Sequence, residues 1–197
     1  MARHKEIETK WNAESVKKED FAKNMRKYLK DNSYSFTDLQ VGGYDYYYRS
    51  KGGYVLRHRT GADSNELTVK ARIKSNSIKI RKEVNVKISE EATPLDVSAM
   101  FKLLGFKQEF AIYKSCDILF VKDKNAEVSI VWYKVTKSGD RLRTFMEVEV
   151  DWVPQKESVR ILNKWTKIVE HLFKLGPEHV SPDSLYEIFS GKRYRKV

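Results

Sequence analysis

An α+β fold built on an antiparallel sheet or barrel is the architecture this chain predicts. Three observations predict it. About eight segments alternate apolar and polar residues with the period of a strand. Most follow one another through short turn signals, which reads as a meander of antiparallel strands. Three or four segments carry helical periodicity, and they do not alternate with the strands as the βαβ units of a parallel sheet would.

The first strand is KEIETKW (5–11), with Glu6, Glu8 and Lys10 on one face and Ile7, Thr9 and Trp11 on the other. From about Ser15 to Asn32 the period turns helical, and Val16, Phe21, Met25, Tyr28 and Leu29 make one stripe. Gly42-Gly43 reads as a turn. GYDYYYRS (43–50) is then a strand, Gly52-Gly53 a second turn and YVLRHRT (54–60) the returning strand. A turn over 61–65 leads to ELTVKARI (66–73) and SIKIRKEVNVKI (77–88). Thr93 caps a short helix that starts with Pro94 and stops at Gly105. FKQEFAIYKS, CDILFVKD, EVSIVWYKV and RTFMEVEVDW are strands again, with turns at Lys124-Asn125 and at 138–140. Glu157 to Leu175 is the longest helical pattern, with Val159, Leu162, Trp165, Ile168, Val169, Leu172 and Phe173 on one side and Gly176-Pro177 at its end. A last short helix runs from Pro182 to about Phe189. The sequence shows no internal repeat and no low-complexity linker, so residues 1–191 are expected to form one domain and 192–197 a basic tail.

The 197 residues carry a net charge of +11, and the tail GKRYRKV supplies only four of the positive charges. An excess spread over the whole chain predicts polyanionic partners. The single cysteine, Cys116, excludes an intrachain disulfide and a cysteine-based metal site. The segment MARHKEIETKW predicts no secretory signal, and no apolar run approaches a membrane span. A cytoplasmic location is the expectation. The spacing of the sequence leaves the oligomeric state open.

In each strand one face is apolar and the other ionic. Such faces ordinarily point to solvent. Here, however, the signs segregate by strand. Glu6, Glu8, Glu147, Glu149 and Asp151 lie in the first and last strands, whereas Arg57, Arg59, Lys70, Arg72 and Arg81 lie in the middle ones. Two Glu-x-Glu strands brought side by side repel unless a cation lies between them. Hard divalent ions such as Mg²⁺ or Mn²⁺ take carboxylate oxygens and keep positions open for phosphate oxygens. Lysine and arginine hold phosphates. Carboxylates for a metal beside a basic cradle is the constellation of phosphoryl chemistry.

Six elements in order resemble the CYTH family of triphosphate tunnel metalloenzymes. They are Glu6-Glu8-Lys10, Leu56-Arg57-Arg59, Glu66-Leu67-Thr68-Lys70, Arg81-Glu83, Leu104-Gly105-Phe106 and Phe145-Glu147-Glu149, over about residues 4–152. The resemblance implies an eight-stranded antiparallel β-barrel with a polar interior that binds a triphosphate and an apolar outside covered by helices. It implies Glu6, Glu8, Glu147 and Glu149 as ligands of Mg²⁺ or Mn²⁺. Asp151, on the same face as Glu149, is a further candidate. It implies Arg57, Arg59, Lys70, Arg72, Arg81 and Lys114 as phosphate contacts, and Lys10 as the residue that touches the terminal phosphate or orients the attacking water. The expected activity is hydrolysis of the terminal phosphate of inorganic, nucleoside or thiamine triphosphate, with 5′-triphosphate RNA the form in which a nucleic acid would bind. A class IV adenylyl cyclase and a non-catalytic nucleotide or polyphosphate binder are the alternatives.

Two departures bear on activity. Cys116 stands where the family often has Arg. The strand before the final Glu pair is SIVWYKV, with Trp132-Tyr133 where an Asp is common, which implies one well-held metal and slow turnover. Tyr46, Tyr47 and Tyr48 read as cross-strand packing rather than a base platform. The four histidines lack zinc spacing and read as structural or exposed. Cys116 reads as a buried small apolar group.

Overall fold

The structure is a computed structural model, and the described residues are 4–61, 64–72, 79–151 and 154–193. Of Glu6, Lys70, Arg72 and Arg81 only the backbone is described. The strands are β1 (His4–Asn12), β2 (Phe36–Ser50), β3 (Val55–Gly61), β4 (Ser64–Arg72), β5 (Lys79–Lys87), β6 (Phe106–Asp123), β7 (Ala126–Lys137) and β8 (Arg143–Asp151). The helices are α1 (Lys18–Asp31), α2 (Pro94–Leu103), α3 (Gln155–Phe173) and α4 (Leu185–Ser190). All strand pairs are antiparallel, as expected for an α+β chain of this pattern. The hydrogen-bonded order is β1-β5-β4-β3-β2-β6-β7-β8, and β8 pairs with β1, so the order of pairing runs round a ring. Among the described residues no helix is long and apolar enough to cross a membrane.

The alternation within each strand sorts side chains between the two faces of this ring. Ile7 and Trp11 of β1, Val128, Ile130 and Trp132 of β7, and Met146, Val148 and Val150 of β8 face outward and are buried. They are covered by Phe21, Met25 and Leu29 of α1 and by Ile161, Leu162, Trp165 and Val169 of α3. These are largely the helical stripes expected from the sequence, with Ile161 added. Trp165 is fully buried, and its indole N–H donates to Asp123 Oδ2 at 2.8 Å, so the polar end of this large ring is satisfied. Removing the ring would cost about 3–5 kcal/mol.

A second apolar cluster closes one end of the ring. Leu185, Tyr186 and Phe189 of α4 pack on Tyr47, Phe110, Val135 and Phe145, whose side chains come from β2, β6, β7 and β8. Ser184 starts α4 as a capping box. Its hydroxyl accepts from the Glu187 N–H at 3.1 Å, and Glu187 Oε2 accepts from the Ser184 N–H at 2.9 Å. Helix α4 therefore starts at Leu185 and not at Pro182. Tyr186 anchors it further: its hydroxyl accepts from Arg49 at 2.6 Å and donates to Glu109 at 2.7 Å. Lys192, expected in a solvated tail, pairs with the same Glu109; residues 194–197 lie outside the described residues.

Several boundaries differ from the sequence pattern for identifiable reasons. Gly42-Gly43 is not a turn but the middle of β2. A Cβ on Gly43 would stand 2.4 Å from the Thr60 carbonyl oxygen, and one on Gly61 would stand 2.6 Å from that of Gly42. These glycines let β2 and β3 approach closely at the Gly43–Gly61 pair. FKQEFAIYKS and CDILFVKD are one strand, because β2 pairs with β6 over nearly its whole length and leaves no break at Cys116. Helix α1 starts at Lys18, after Lys17 in extended backbone, and α3 starts at Gln155. Helix α2 begins at Pro94 with Thr93 as its cap, as the sequence indicated. Ile73, Ser77, Ile78 and Trp152, expected in strands, lie outside the described residues.

Candidate functional site

The faces turned away from the helices carry the charges. A cavity of about 410 Å³ lies within the ring. Strands β1 and β8 contribute Glu8, Lys10, Glu147 and Glu149 to it. Strands β2 and β3 lie opposite β1 and β8 in the ring order and contribute Asp45, Arg57 and Arg59. Strand β4 adds Glu66 and Thr68, β5 adds Asn85, and β6 adds Lys114 and Cys116. Val55, Val131 and Leu185 are apolar parts of the lining, as are Leu39, Val41 and Ile118 toward the end away from α4.

The strand register builds the acidic wall. Glu8 is directly paired with Glu149, and Lys10 with Glu147. All of these share one face because each is two residues from the next. Lys10 is only 3% exposed. Its ammonium donates to the Asp183 carbonyl oxygen ahead of α4 and lies 5.6 Å from the Phe145 ring centroid. Glu147 accepts a 2.6 Å hydrogen bond from the Tyr133 hydroxyl. Burial, reinforced by the Glu147 charge, holds the Tyr133 phenol well above its ordinary pKa, so it remains a donor.

On the opposite wall the arginines are already engaged. Arg59 donates from Nε and an Nη to the two oxygens of Asp45, at 2.7 and 2.9 Å. Asp45 is 1% exposed. Burial alone would raise its carboxyl pKa. The Arg59 and Arg57 guanidiniums, together with the Arg59 hydrogen bonds, reverse that effect and hold it well below the usual carboxylate range. Arg57 donates to Thr68 Oγ1 at 2.8 Å and to Glu66 Oε1 at 3.3 Å. The Asn85 side-chain oxygen is buried with no hydrogen-bond partner among the described residues. Lys114 rests its ammonium 3.9 Å from the centroid of the Tyr133 ring. Cys116 is buried as expected, and burial pushes its thiol pKa up.

The cavity thus brings together Glu8, Lys10, Arg57, Arg59, Lys114, Glu147 and Glu149 of the residues singled out from sequence. Asp151 is exposed and is not part of the lining; in register it pairs with Glu6. The backbone of Glu6 also pairs with Arg81, that of Arg72 with Arg81, and that of Lys70 with Glu83, while their side chains lie outside the described ones. Sequence reasoning missed Asp45 and Asn85 as site residues, and quoted Glu66, Thr68 and Tyr133 without giving them a role in the site. The one signal for Asp45 was its parity with Tyr47 and Gly43 in β2, which puts it on the same face. The tyrosines behave as packing groups: Tyr46 stacks on His58 at 5.8 Å, Tyr47 contacts Phe110 at 4.9 Å and Tyr48 contacts Phe101 at 4.8 Å. His58 is fully buried and bonds Asn65 at 2.7 Å, a structural role.

Whether the donor set fits a divalent cation turns on its carboxylates. Among the described residues no three histidine, cysteine, aspartate or glutamate side chains converge as a metal cluster. Glu8 and Glu149 occupy directly paired positions, with Glu147 two residues along. Mg²⁺ is commonly held by one or two carboxylates, with water and substrate phosphate completing the octahedron. The chemistry of these carboxylates fits such an ion.

The ring of eight antiparallel strands, the outer helices and the ionic interior define the fold class of this chain, an α+β fold with a charged cavity inside the ring. Solved structures agree on the fold. A conserved hypothetical protein from Pyrococcus furiosus is 23% identical, with a TM-score of 0.66, over 92% of this chain and 98% of its own. The PH1819 protein of Pyrococcus horikoshii is 22% identical, with a TM-score of 0.66, over 95% of this chain and 99% of its own. A candidate adenylate cyclase from Vibrio parahaemolyticus is 15% identical, with a TM-score of 0.64, over 96% of this chain and 99% of its own. No family model and no curated protein sequence matches the chain.

Proposed function

We propose that the ring interior is a triphosphate tunnel and that the chain hydrolyses the terminal phosphoanhydride of a triphosphate with Mg²⁺ or Mn²⁺. One observation carries this reading. An acidic pair of strands, β1 and β8, and basic groups on β3 and β6 line one cavity of about 410 Å³. Polyphosphate is the ligand that needs both, because its oxygens take Arg and Lys donors directly and carboxylates through a divalent ion.

One or two of the carboxylates of Glu8, Glu149 and Glu147 would hold the ion directly and the rest through water, and the ion when bound would neutralise phosphate oxygens as a Lewis acid. Arg57, Arg59 and Lys114 would take the remaining phosphate oxygens and stabilise charge as the terminal group is transferred. Lys10, held by the Asp183 carbonyl, would orient the terminal phosphate. Water attacks the terminal phosphorus in line. A new P–O bond forms, the bridging P–O bond breaks, the diphosphate end leaves with the electron pair, and the proton lost by the attacking water passes to a phosphate oxygen or to solvent. Helix α4 closes one end of the ring, so the reaction would take place away from bulk water on that side.

A non-catalytic polyphosphate or nucleotide binder is the second reading, and a specific observation favours it. Val131, not a carboxylate, is paired with Glu147 on β7, and Arg59 is already neutralised by Asp45. Both features lower turnover. The deciding experiment is phosphate release from inorganic triphosphate, ATP, GTP, thiamine triphosphate and 5′-triphosphate RNA, with Mg²⁺ and with Mn²⁺. Metal-dependent release that Glu147→Ala abolishes is expected. Binding without release supports the binder, and cyclic AMP with pyrophosphate supports a cyclase.

A further inference from the structure

We propose that Tyr133 is a positioning residue that sets the separation between the Glu147 carboxylate and the Lys114 ammonium. The inference rests on the triphosphate reading of the cavity. Tyr133 lies on β7, between β6, which carries Lys114, and β8, which carries Glu147. Its ring is fully buried and does not itself line the cavity. It lies on the same inward face as both neighbours and touches each of them. The hydroxyl donates to Glu147 Oε1 at 2.6 Å. The face of the same ring lies 3.9 Å from Lys114 Nζ. Phe145, its cross-strand partner on β8, stacks against it at 5.5 Å and 29° and fixes the ring plane.

On the β7 side of Glu147 this task falls to Tyr133. The residue paired with Glu147 on β7 is Val131, which has no polar group to orient a carboxylate. A carboxylate has two oxygens, and one of Glu147's accepts from the phenol, which leaves the other for a cation. A planar ring that satisfies an acid at its edge and a base on its face fixes both at once. Neighbours of this kind commonly change metal affinity or activity by 10–100-fold when removed.

The test separates the hydroxyl from the ring face. Mn²⁺ binding is followed by electron paramagnetic resonance without substrate. Inorganic triphosphate binding is followed by calorimetry without metal. In Tyr133→Phe, Mn²⁺ affinity is expected to fall about tenfold while metal-free triphosphate affinity stays within about twofold. In Tyr133→Leu both are expected to fall. A Tyr133→Phe protein with wild-type Mn²⁺ affinity would overturn the proposal. A double-mutant cycle guards against a general packing effect, because the loss caused by Tyr133→Phe should vanish in a Glu147→Gln background. Additive losses would overturn the proposal even if both variants are less stable. If the wild type binds neither Mn²⁺ nor triphosphate, the reading of the cavity itself fails, and the Tyr133 assignment fails with it.

Discussion

Arg59 and Asp45 are directly paired across β3 and β2, and two guanidinium nitrogens meet the two carboxylate oxygens at 2.7 and 2.9 Å. The pair sits in the lining of the cavity, so one of its strongest cations enters the site with a counterion attached. Substrate would have to share Arg59 with Asp45.

Removing Asp45 leaves a guanidinium without its partner. Asp45→Ala is expected to cost about 3 kcal/mol, read as a lower midpoint in urea unfolding. The sign with pH follows from the lowered carboxyl pKa. The pair's contribution is complete above the ordinary aspartate value of 3.8 and is lost as pH falls below it. Asp45→Asn is expected to flatten the loss of stability between about pH 4 and pH 2, measured by denaturant titration at each pH.

The paired carboxylates of Glu8 and Glu149 repel when no cation is present. Glu149→Gln removes one of these carboxylates and with it one candidate ligand of the ion. Saturating Mg²⁺ should raise the melting temperature of the wild type and raise that of the variant much less. An equal rise in both would show that the ion binds elsewhere.

Lys10 stands two residues from Glu8 on β1, directly opposite Glu147. Lys10→Met keeps the length of the stem and its packing on Phe145 while removing the charge. Phosphate release is expected to fall about 10²–10³-fold, by analogy with loss of one preorganised donor. The fall should appear in kcat more than in KM if Lys10 acts on the group being transferred.

Tyr186→Phe removes the hydroxyl shared by Arg49 and Glu109 and keeps the ring packed on Phe110. A loss of about 1–3 kcal/mol is expected, because both hydrogen bonds involve charged groups. Hydrogen exchange should quicken most in residues 185–190, since the fastening of α4 is what changes.

Much of this protein is legible in its sequence. Strand period decides which residues share a face, so alternation alone groups Glu8 with Lys10, Glu147 with Glu149, and Arg57 with Arg59. Thr93-Pro94 marks α2, and the stripes of α1 and α3 mark the faces that cover the ring. Alternation is local, and local geometry determines it.

Partnership across strands is not local. Period alone does not say whether the ionic faces turn inward or outward, since either arrangement has the same alternation. The ring decides it by placing the helices on the apolar side. Nor does period show that Asp45, among tyrosines, meets Arg59, or that Tyr133 reaches both Glu147 and Lys114. Those contacts depend on register between strands far apart in the chain, which hydrogen bonding and packing set together. The chain by itself determined which charges stand side by side along each strand. Only the tertiary structure decided which of them neutralise one another.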